Sequence, residues 1–160
     1  MRTLLVRSLH RLGTYRWFAV VASSWAPRAD MWLHRRTSGR RMLLSALFPV
    51  RVVTTTGRRS GLPRRTPLLT VDEPGGPGCY VVGSNFGMDR PPAWALNLMS
   101  DGRATVEYDG VDVPVTAELL TGQARDRAWQ RMAAVWPPYR AYAAHTAREF
   151  PLFRLSPAAA

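Results

Sequence analysis

The sequence contains no lysine, so all 22 of its basic residues are arginine. This uniformity carries little weight, because genomic base composition alone produces it in many proteins. Acidic residues are nearly absent from the first 65 positions, which hold fourteen arginines and only Asp30. Residues 66–160 hold eight arginines and ten acidic residues. The net charge of +11 therefore resides in the first part, which we expect to face an anionic partner such as lipid headgroups, nucleic acid or a phosphorylated ligand.

The chain has a single cysteine, Cys79, which excludes an internal disulfide framework. No second cysteine or neighbouring histidine gives metal-ligand spacing, and His10, His34 and His145 have no carboxylate in register with them. The sequence therefore predicts neither a metal site nor a catalytic triad. Cys79 is interpreted as a buried strand residue.

Long hydrophobic runs are also lacking near the N-terminus. The run "WFAVVA" has six residues, shorter than the roughly 7–15 of a signal peptide and the ~20 of a spanning helix. We expect this segment to be retained in the protein and not to span a membrane. Leu5, Leu9 and Leu12 share one helical face, with arginines opposite. A helix on a membrane surface and a helix packed on its own domain both fit this pattern.

From residue 50 onward, short β-branched runs alternate with turn residues, which predicts five or six antiparallel strands. Asp109-Gly110, between two alternating runs, predicts a hairpin. Helical patterns occupy three segments, residues 91–102, 121–136 and 137–150. We therefore expect an α+β, mainly β fold: a small closed or split antiparallel barrel over residues 50–157 with helices packed against it. A basic helical segment, residues 1–49, precedes the barrel within a single compact domain.

The stretch "TTTGRRSGLPRRTP", residues 54–67, places four arginines in a strand–turn–strand pattern. A guanidinium group is planar and always charged, and it can hold a phosphate or carboxylate through two parallel hydrogen bonds. Gly57 and Gly61 let the backbone approach a ligand closely. Alternation along the strand points Arg64 and Arg65 to opposite faces, so only one of them should reach that ligand. An anion cradle and a solvated hairpin tip both fit this stretch.

Five motifs together resemble, in order and spacing, the deazaflavin-dependent nitroreductase family. The motifs are "TTTGRRSGLPRRTP", "VVGSNFG", "PAWALNL", "WPPYRAY" and "FPLFRLSP", and they cover about residues 50–157. The resemblance implies a split β-barrel that binds the reduced deazaflavin coenzyme F420. It also implies an F420-dependent oxidoreductase that passes a hydride to a quinone or a nitroaromatic compound.

The resemblance implies two sets of site residues. Ten residues match positions that hold the phosphate and glutamyl tail of the coenzyme or line the rest of it: Arg58, Arg59, Ser60, Arg64, Thr66, Gly83, Ser84, Asn85, Trp94 and Asn97. The candidate catalytic residues are Tyr139 and Tyr142, which match tyrosines near the reactive end of the deazaflavin, and Ser84, which matches the segment lining the cofactor. Family members often carry lysine in place of Asn85 and tyrosine in place of Trp136, which leaves tail and acceptor preferences open.

Two other functions stay open on sequence alone. A related split-barrel protein could use FMN or haem, and a non-enzymatic basic module could bind an anionic membrane. Nucleic acid is not expected as a partner, because the aromatic residues do not interleave with the arginines in a stacking pattern. We expect a cytoplasmic enzyme whose N-terminal segment either contacts the inner face of the cell membrane or packs on the domain. The sequence does not decide the oligomeric state.

Overall fold

The computed structural model describes residues 48–158, which form seven β-strands and three α-helices. The strands are β1 (Val50–Thr56), β2 (Pro63–Leu69), β3 (Val71–Asp72), β4 (Cys79–Val82), β5 (Arg103–Tyr108), β6 (Val111–Leu119) and β7 (Leu152–Pro157). The helices are α1 (Ala93–Ser100), α2 (Gly122–Val135) and α3 (Pro138–Ala144). The predicted basic helical segment, up to residue 47, lies outside the described residues.

All seven strands pair antiparallel in one sheet, in the order β2-β1-β5-β6-β7-β4-β3. The two edge strands, β2 and β3, are consecutive in the chain and separated only by Thr70. Thr70 is buried, and its N–H and hydroxyl both donate to the carbonyl of Pro49, at 2.8 and 3.2 Å. This bend carries the chain from one edge of the sheet to the other, so the sheet curls into the predicted split β-barrel. The sequence predicted five or six strands, and the two-residue β3 is an additional strand that was not predicted.

The hairpin between β5 and β6 follows directly from its two turn residues. Asp109 and Gly110 have φ values of +50° and +83°, and Tyr108 pairs with Val111 on either side of them. Two successive residues with positive φ match the twist of the flanking strands, and Asp-Gly adopts them at low cost. The predicted hairpin is confirmed.

Strand alternation divides the apolar residues between two layers. Val81 and its partner Phe153 belong to a cluster that gathers side chains from β1, β4, β5, β6 and β7 and fills the barrel interior. Their chain neighbours Val82 and Leu152 point the other way, into a second cluster with residues of α2 and α3. Cys79 is buried on β4 in the interior cluster, as predicted. Helices α2 and α3 therefore cover the outside of β4 and β7, whereas α1 contributes Trp94, Ala95 and Leu98 to the interior cluster.

The helix starts mostly follow the prolines and the predicted segments. Pro92 occupies the N-cap of α1, and Pro138 is the first residue of α3. Thr121, the first residue of the second predicted segment, stands at the N-cap of α2, although its side chain makes no capping hydrogen bond. The last helical prediction was too long, since α3 ends at Ala144. Within residues 48–158, no helix has the length and apolar character needed to cross a membrane.

Candidate functional site

The turn between β1 and β2, residues 57–62, is named the arginine loop. Gly57 closes it, because its carbonyl accepts the N–H groups of Ser60 at 3.0 Å and Gly61 at 2.7 Å. The N–H of Gly57 donates to the carbonyl of Leu62 at 2.9 Å. Gly61 has a φ of +67°, a left-handed conformation that favours glycine. The two glycines therefore fix the backbone that carries the arginine side chains.

Arg58 and Arg59 in this loop, and Arg64 next to it on β2, are exposed. None of the three has a carboxylate within salt-bridge distance among residues 48–158. Arg64 Nη2 donates to the hydroxyl of Ser60 at 3.3 Å, which links two of the predicted site residues. Like charges held close together repel unless an anion lies among them. Guanidinium groups that lack carboxylate partners suit the phosphate and carboxylate groups of an anionic ligand.

Arg65 is arranged differently from its neighbour Arg64. Its guanidinium pairs with the carboxylate of Glu107 on β5 and lies 3.9 Å from that of Asp112 on β6. The predicted division of the two arginines between opposite faces of β2 is confirmed. Thr66 shares the face of Arg64, where it is half-buried opposite Val53 on β1.

Asn97 on α1 is hydrogen-bonded to the end of β1 and the start of the arginine loop. Its side-chain oxygen accepts the N–H of Arg58 at 3.1 Å, and its amide nitrogen donates to the hydroxyl of Thr55 at 3.0 Å. Because both ends of the buried Asn97 amide are already bonded within the protein, Asn97 positions the loop. Trp94, one turn earlier, is 7% exposed and packs on Phe153 in the barrel interior, with ring centroids 6.1 Å apart.

Residues 83–88, named the Gly83 turn, follow β4. Gly83 donates its N–H to the carbonyl of Pro151 at 2.8 Å. A Cβ atom at this position would lie 2.8 Å from Pro151 Cγ and 3.1 Å from Ala95 Cβ, so only glycine fits without displacement. Ser84 is buried and its hydroxyl makes no capping hydrogen bond, whereas Asn85 Nδ2 donates to the carbonyl of Arg90 at 2.9 Å.

Arg148, just before β7, anchors the Gly83 turn and was not predicted from the sequence. Its guanidinium donates to the carbonyls of Gly83 at 3.2 Å, Ser84 at 2.8 Å and Met88 at 3.0 and 3.2 Å. The same group lies 4.7 Å from the ring centroid of Phe150. Burial lowers the pKa of this guanidinium, although arginine stays charged in proteins. No sequence pattern could reveal this role, because every residue carries a carbonyl.

Tyr139 and Tyr142 are buried side by side on α3, with ring centroids 6.2 Å apart. Burial raises the pKa of both phenols above the ordinary value for tyrosine, so both are protonated at neutral pH. Within residues 48–158, the hydroxyl of Tyr142 has no partner in good hydrogen-bonding geometry. The side chain of Trp136 is the polar neighbour that opposes the rise in the pKa of Tyr142.

Contacts join most of the predicted site residues into one continuous set. Helix α1 touches both loops, since Asn97 holds the arginine loop and Ala95 lies behind Gly83. Tyr142 in turn packs on the Gly83 turn, where a Cβ atom at Gly87 would lie 3.2 Å from its backbone. The set thus has exposed cations at one end and buried phenols at the other. Among residues 48–158, no group of three or more His, Cys, Asp or Glu side chains could hold a metal ion.

Comparisons with known proteins identify the family and the fold. A family model described as F420H(2)-dependent quinone reductase matches residues 25–157. A solved structure of an F420-H2 dependent reductase, FDR-A, is 32% identical with a TM-score of 0.61, over 68% of this chain and 94% of that chain. A structure described as a domain-swapped dimer is 28% identical with a TM-score of 0.63, over 79% and 98%. A heme binding protein from Mycobacterium smegmatis, 18% identical with a TM-score of 0.52 over 70% and 47%, shares the fold alone.

Proposed function

Since the chain belongs to the family of F420H2-dependent quinone reductases, we propose that it transfers a hydride from reduced coenzyme F420 to a quinone. Nitroaromatic compounds form a second class of acceptor. A deazaflavin supplies two-electron hydride chemistry, because carbon replaces nitrogen at its reacting ring position. The tasks left to the protein are to hold an anionic tail, to orient the two reactants and to provide a proton.

The observation that carries the proposal is the set of three exposed guanidinium groups at the arginine loop. Arg58, Arg59 and Arg64 lack carboxylate partners among residues 48–158, and their chemistry fits the phosphate and carboxylate groups of the coenzyme tail. The hydroxyl of Ser60, already bonded to Arg64, would act beside them. Asn97 would keep Arg58 in place from the protein side.

The buried phenols supply the proton in this proposal. Hydride arrival converts a quinone to the hydroquinone monoanion, and one proton then completes the hydroquinone. Tyr139, like any tyrosine, is protonated at neutral pH, and burial raises its pKa further, so its hydroxyl can donate a hydrogen bond to the acceptor oxygen. If it also passes its proton to that oxygen, solvent must return a proton to the phenolate. Tyr142, whose hydroxyl lacks a well-placed partner among the described residues, is the second donor, and Ser84 is the third.

The decisive test is a fluorescence titration of oxidised coenzyme F420 with the full-length protein. Binding with a dissociation constant below tens of micromolar, about 6–7 kcal/mol, is expected. Parallel titrations with FMN and haem, followed by absorbance, test the other cofactors. Absence of coenzyme binding, or a preference for FMN or haem, would overturn the proposal. Oxidation of the reduced coenzyme must also depend on added quinone.

We also propose that the N-terminal segment brings the enzyme to an anionic membrane surface on the cytoplasmic side. Support comes from the sequence alone, through nine arginines and one acidic residue before residue 50. Deleting residues 1–30 should weaken binding to vesicles that contain anionic lipid. The deletion should also slow turnover of a long-tailed quinone more than that of a water-soluble one, while coenzyme affinity stays similar. Unchanged vesicle binding would assign the segment to packing on the domain.

A further inference from the structure

One face of the sheet is buried although neither apolar cluster reaches it. The β1–β5 outer face consists of the side chains that point away from the barrel interior on these two paired strands: Val52, Thr54, Thr105 and Glu107. Val52 is 1% exposed, the side chain of Glu107 is 10% exposed, and the hydroxyl of Thr54 is buried without a hydrogen-bond partner among residues 48–158. The face of an antiparallel sheet that meets water leaves such side chains accessible, so a further layer covers this one.

The three described helices pack on other parts of the barrel. Helix α2 packs on β3, β4 and β7, and α3 packs on the Gly83 turn. Helix α1 reaches β1 from the interior side, where Asn97 donates to the hydroxyl of Thr55 and Leu98 joins the interior cluster. Neither of the two clusters of described residues contains Val52. The layer over the β1–β5 outer face is therefore not formed by these helices.

The strands beneath this face carry an excess of negative charge. Residues 103–119, which form the hairpin of β5 and β6, hold four acidic residues and one arginine, in a chain whose net charge is +11. The carboxylates of Glu107 and Asp112 share the guanidinium of Arg65. The occupant of the face should therefore combine apolar side chains, which pack on Val52, with cations that approach these carboxylates.

We propose that residues 31–47 of the same chain cover the β1–β5 outer face. This stretch holds four arginines, eight apolar residues and no acidic residue. It ends where β1 begins, next to the buried Phe48, whose ring lies 5.0 Å from that of Trp136. As a helix, residues 31–47 span about 25 Å, close to the about 23 Å of the seven-residue β1, so the stretch can run back along this strand. The family model begins at residue 25 and so matches this stretch together with the barrel.

The proposal divides the N-terminal segment into two parts with different partners. Residues 31–47 pack on the barrel and belong to the domain. Residues 1–30 are left for the membrane surface proposed above. The packing depends neither on the coenzyme nor on the reaction, so its failure would leave the proposed hydride transfer standing.

Paramagnetic broadening in nuclear magnetic resonance of the full chain tests the placement, without lipid or coenzyme. A nitroxide is attached to Ser38→Cys, in the middle of the stretch. Cys79 is buried and should stay unlabelled, which the parent chain treated with the same reagent checks. The amide signals of the β1–β5 outer face should broaden strongly. Those of β7, three strands away from β1 in the sheet order, should broaden less.

Other occupants of the face predict different results, and each of these would overturn the proposal. Broadening by a nitroxide on Ser8→Cys, but not by one on Ser38→Cys, would assign the face to residues 1–30. Broadening of an isotope-labelled parent chain mixed with nitroxide-labelled chains would assign it to a second copy. Broadening that begins only when vesicles of anionic lipid are added would make the face a membrane contact. No broadening under any condition would separate residues 31–47 from the face.

Trypsin, which cleaves after arginine, measures how firmly the stretch is held, because cleavage of packed chain requires local opening. Val52→Thr buries a hydroxyl under the stretch, so cleavage within residues 35–41 should become about three- to tenfold faster relative to cleavage after Arg154 on β7. The matched change, Thr54→Val, removes a hydroxyl that has no partner among the described residues, so the same ratio should stay equal or fall. A parental ratio in Val52→Thr would show that residues 31–47 do not lie on this face.

Discussion

In the arginine loop, the guanidinium groups of Arg58 and Arg59 reach solvent, whereas in the Gly83 turn the guanidinium of Arg148 turns inward onto three backbone carbonyls. Arginine side chains therefore serve two different purposes in the two loops that contact α1. Where an arginine is exposed and has no carboxylate partner among residues 48–158, it offers charge to a ligand. Where carbonyls enclose it, it fixes the backbone. Arginine content alone consequently says little about function until the partners of each guanidinium are known.

The largest effect should come from removing the exposed charges. Arg58→Ala combined with Arg64→Ala should weaken coenzyme binding by about 3–6 kcal/mol, because each arginine loses charge-assisted bonds worth about 1.5–3 kcal/mol. Fluorescence titration measures the loss. Lysine at both positions should restore part of the affinity, since it lacks the planar fork.

Arg65→Ala is the matched control for that experiment. Its guanidinium is already paired with Glu107, so coenzyme affinity should change less than about twofold. If the double alanine variant binds the coenzyme as well as the parent does, Arg58 and Arg64 lie on a solvated hairpin tip and do not bind the coenzyme. A large loss in Arg65→Ala would mean that the ion pair with Glu107 shapes the loop.

The two loops should also differ in why they need glycine. Gly83→Ala should lower the free energy of unfolding by about 1–3 kcal/mol, because the new Cβ meets Pro151 and Ala95. Gly61 has open space around it and a φ of +67°, so Gly61→Ala should cost only the backbone term, about 1–2 kcal/mol.

Asparagine at the same two positions separates the causes, as urea unfolding of the four variants can show. Asparagine tolerates the left-handed conformation, so Gly61→Asn should be more stable than Gly61→Ala. At Gly83 the order should reverse, because asparagine is larger than alanine and the neighbouring atoms leave no room. The same order at both positions would show that the two glycines serve one purpose.

Local patterns were sufficient for much of the fold. Asp109-Gly110 determines its hairpin through two φ values, and the alternation of Arg64 and Arg65 needs only the two-residue period of a strand. The motif resemblance led to the family and to the cofactor, which the family model supports. In each case the information lies within a few residues of the feature.

Contacts between distant parts of the chain could not be read in this way. Arg148 reaches carbonyls 60 to 65 positions earlier, and Asn97 bridges residues 39 and 42 positions away. The bend at Thr70 depends on the carbonyl of Pro49, brought near by the curl of the sheet. Backbone acceptors have no sequence signature, so the residues that bind them emerge only from the assembled structure.

A smaller effect is expected at the buried end of the site, where the phenols meet the Gly83 turn. Tyr139→Phe keeps the ring and removes the hydroxyl, so turnover should fall about ten- to a hundredfold, on the order of 1.4–2.7 kcal/mol. Coenzyme affinity should stay close to that of the parent, in contrast to the arginine variants. Equal losses in Tyr139→Phe and Tyr142→Phe would indicate a shared hydrogen-bond network. If both variants turn over at the parental rate, the proton comes from Ser84 or from solvent.

The smallest effect should be on the stability of Tyr142→Phe. The hydroxyl of Tyr142 is buried without a well-placed partner in the described part of the chain, so its removal should break no good hydrogen bond there. The free energy of unfolding should stay within about 1 kcal/mol of the parent or rise slightly, as urea denaturation can measure. Asn97→Ala provides the contrast, because it breaks two hydrogen bonds at a buried site and should cost about 1–3 kcal/mol. If Tyr142→Phe proved as costly as Asn97→Ala, the hydroxyl would be bonded firmly to the side chain of Trp136. It would then belong with Arg148 among the groups that fix the turn, and a ligand would find no free donor there.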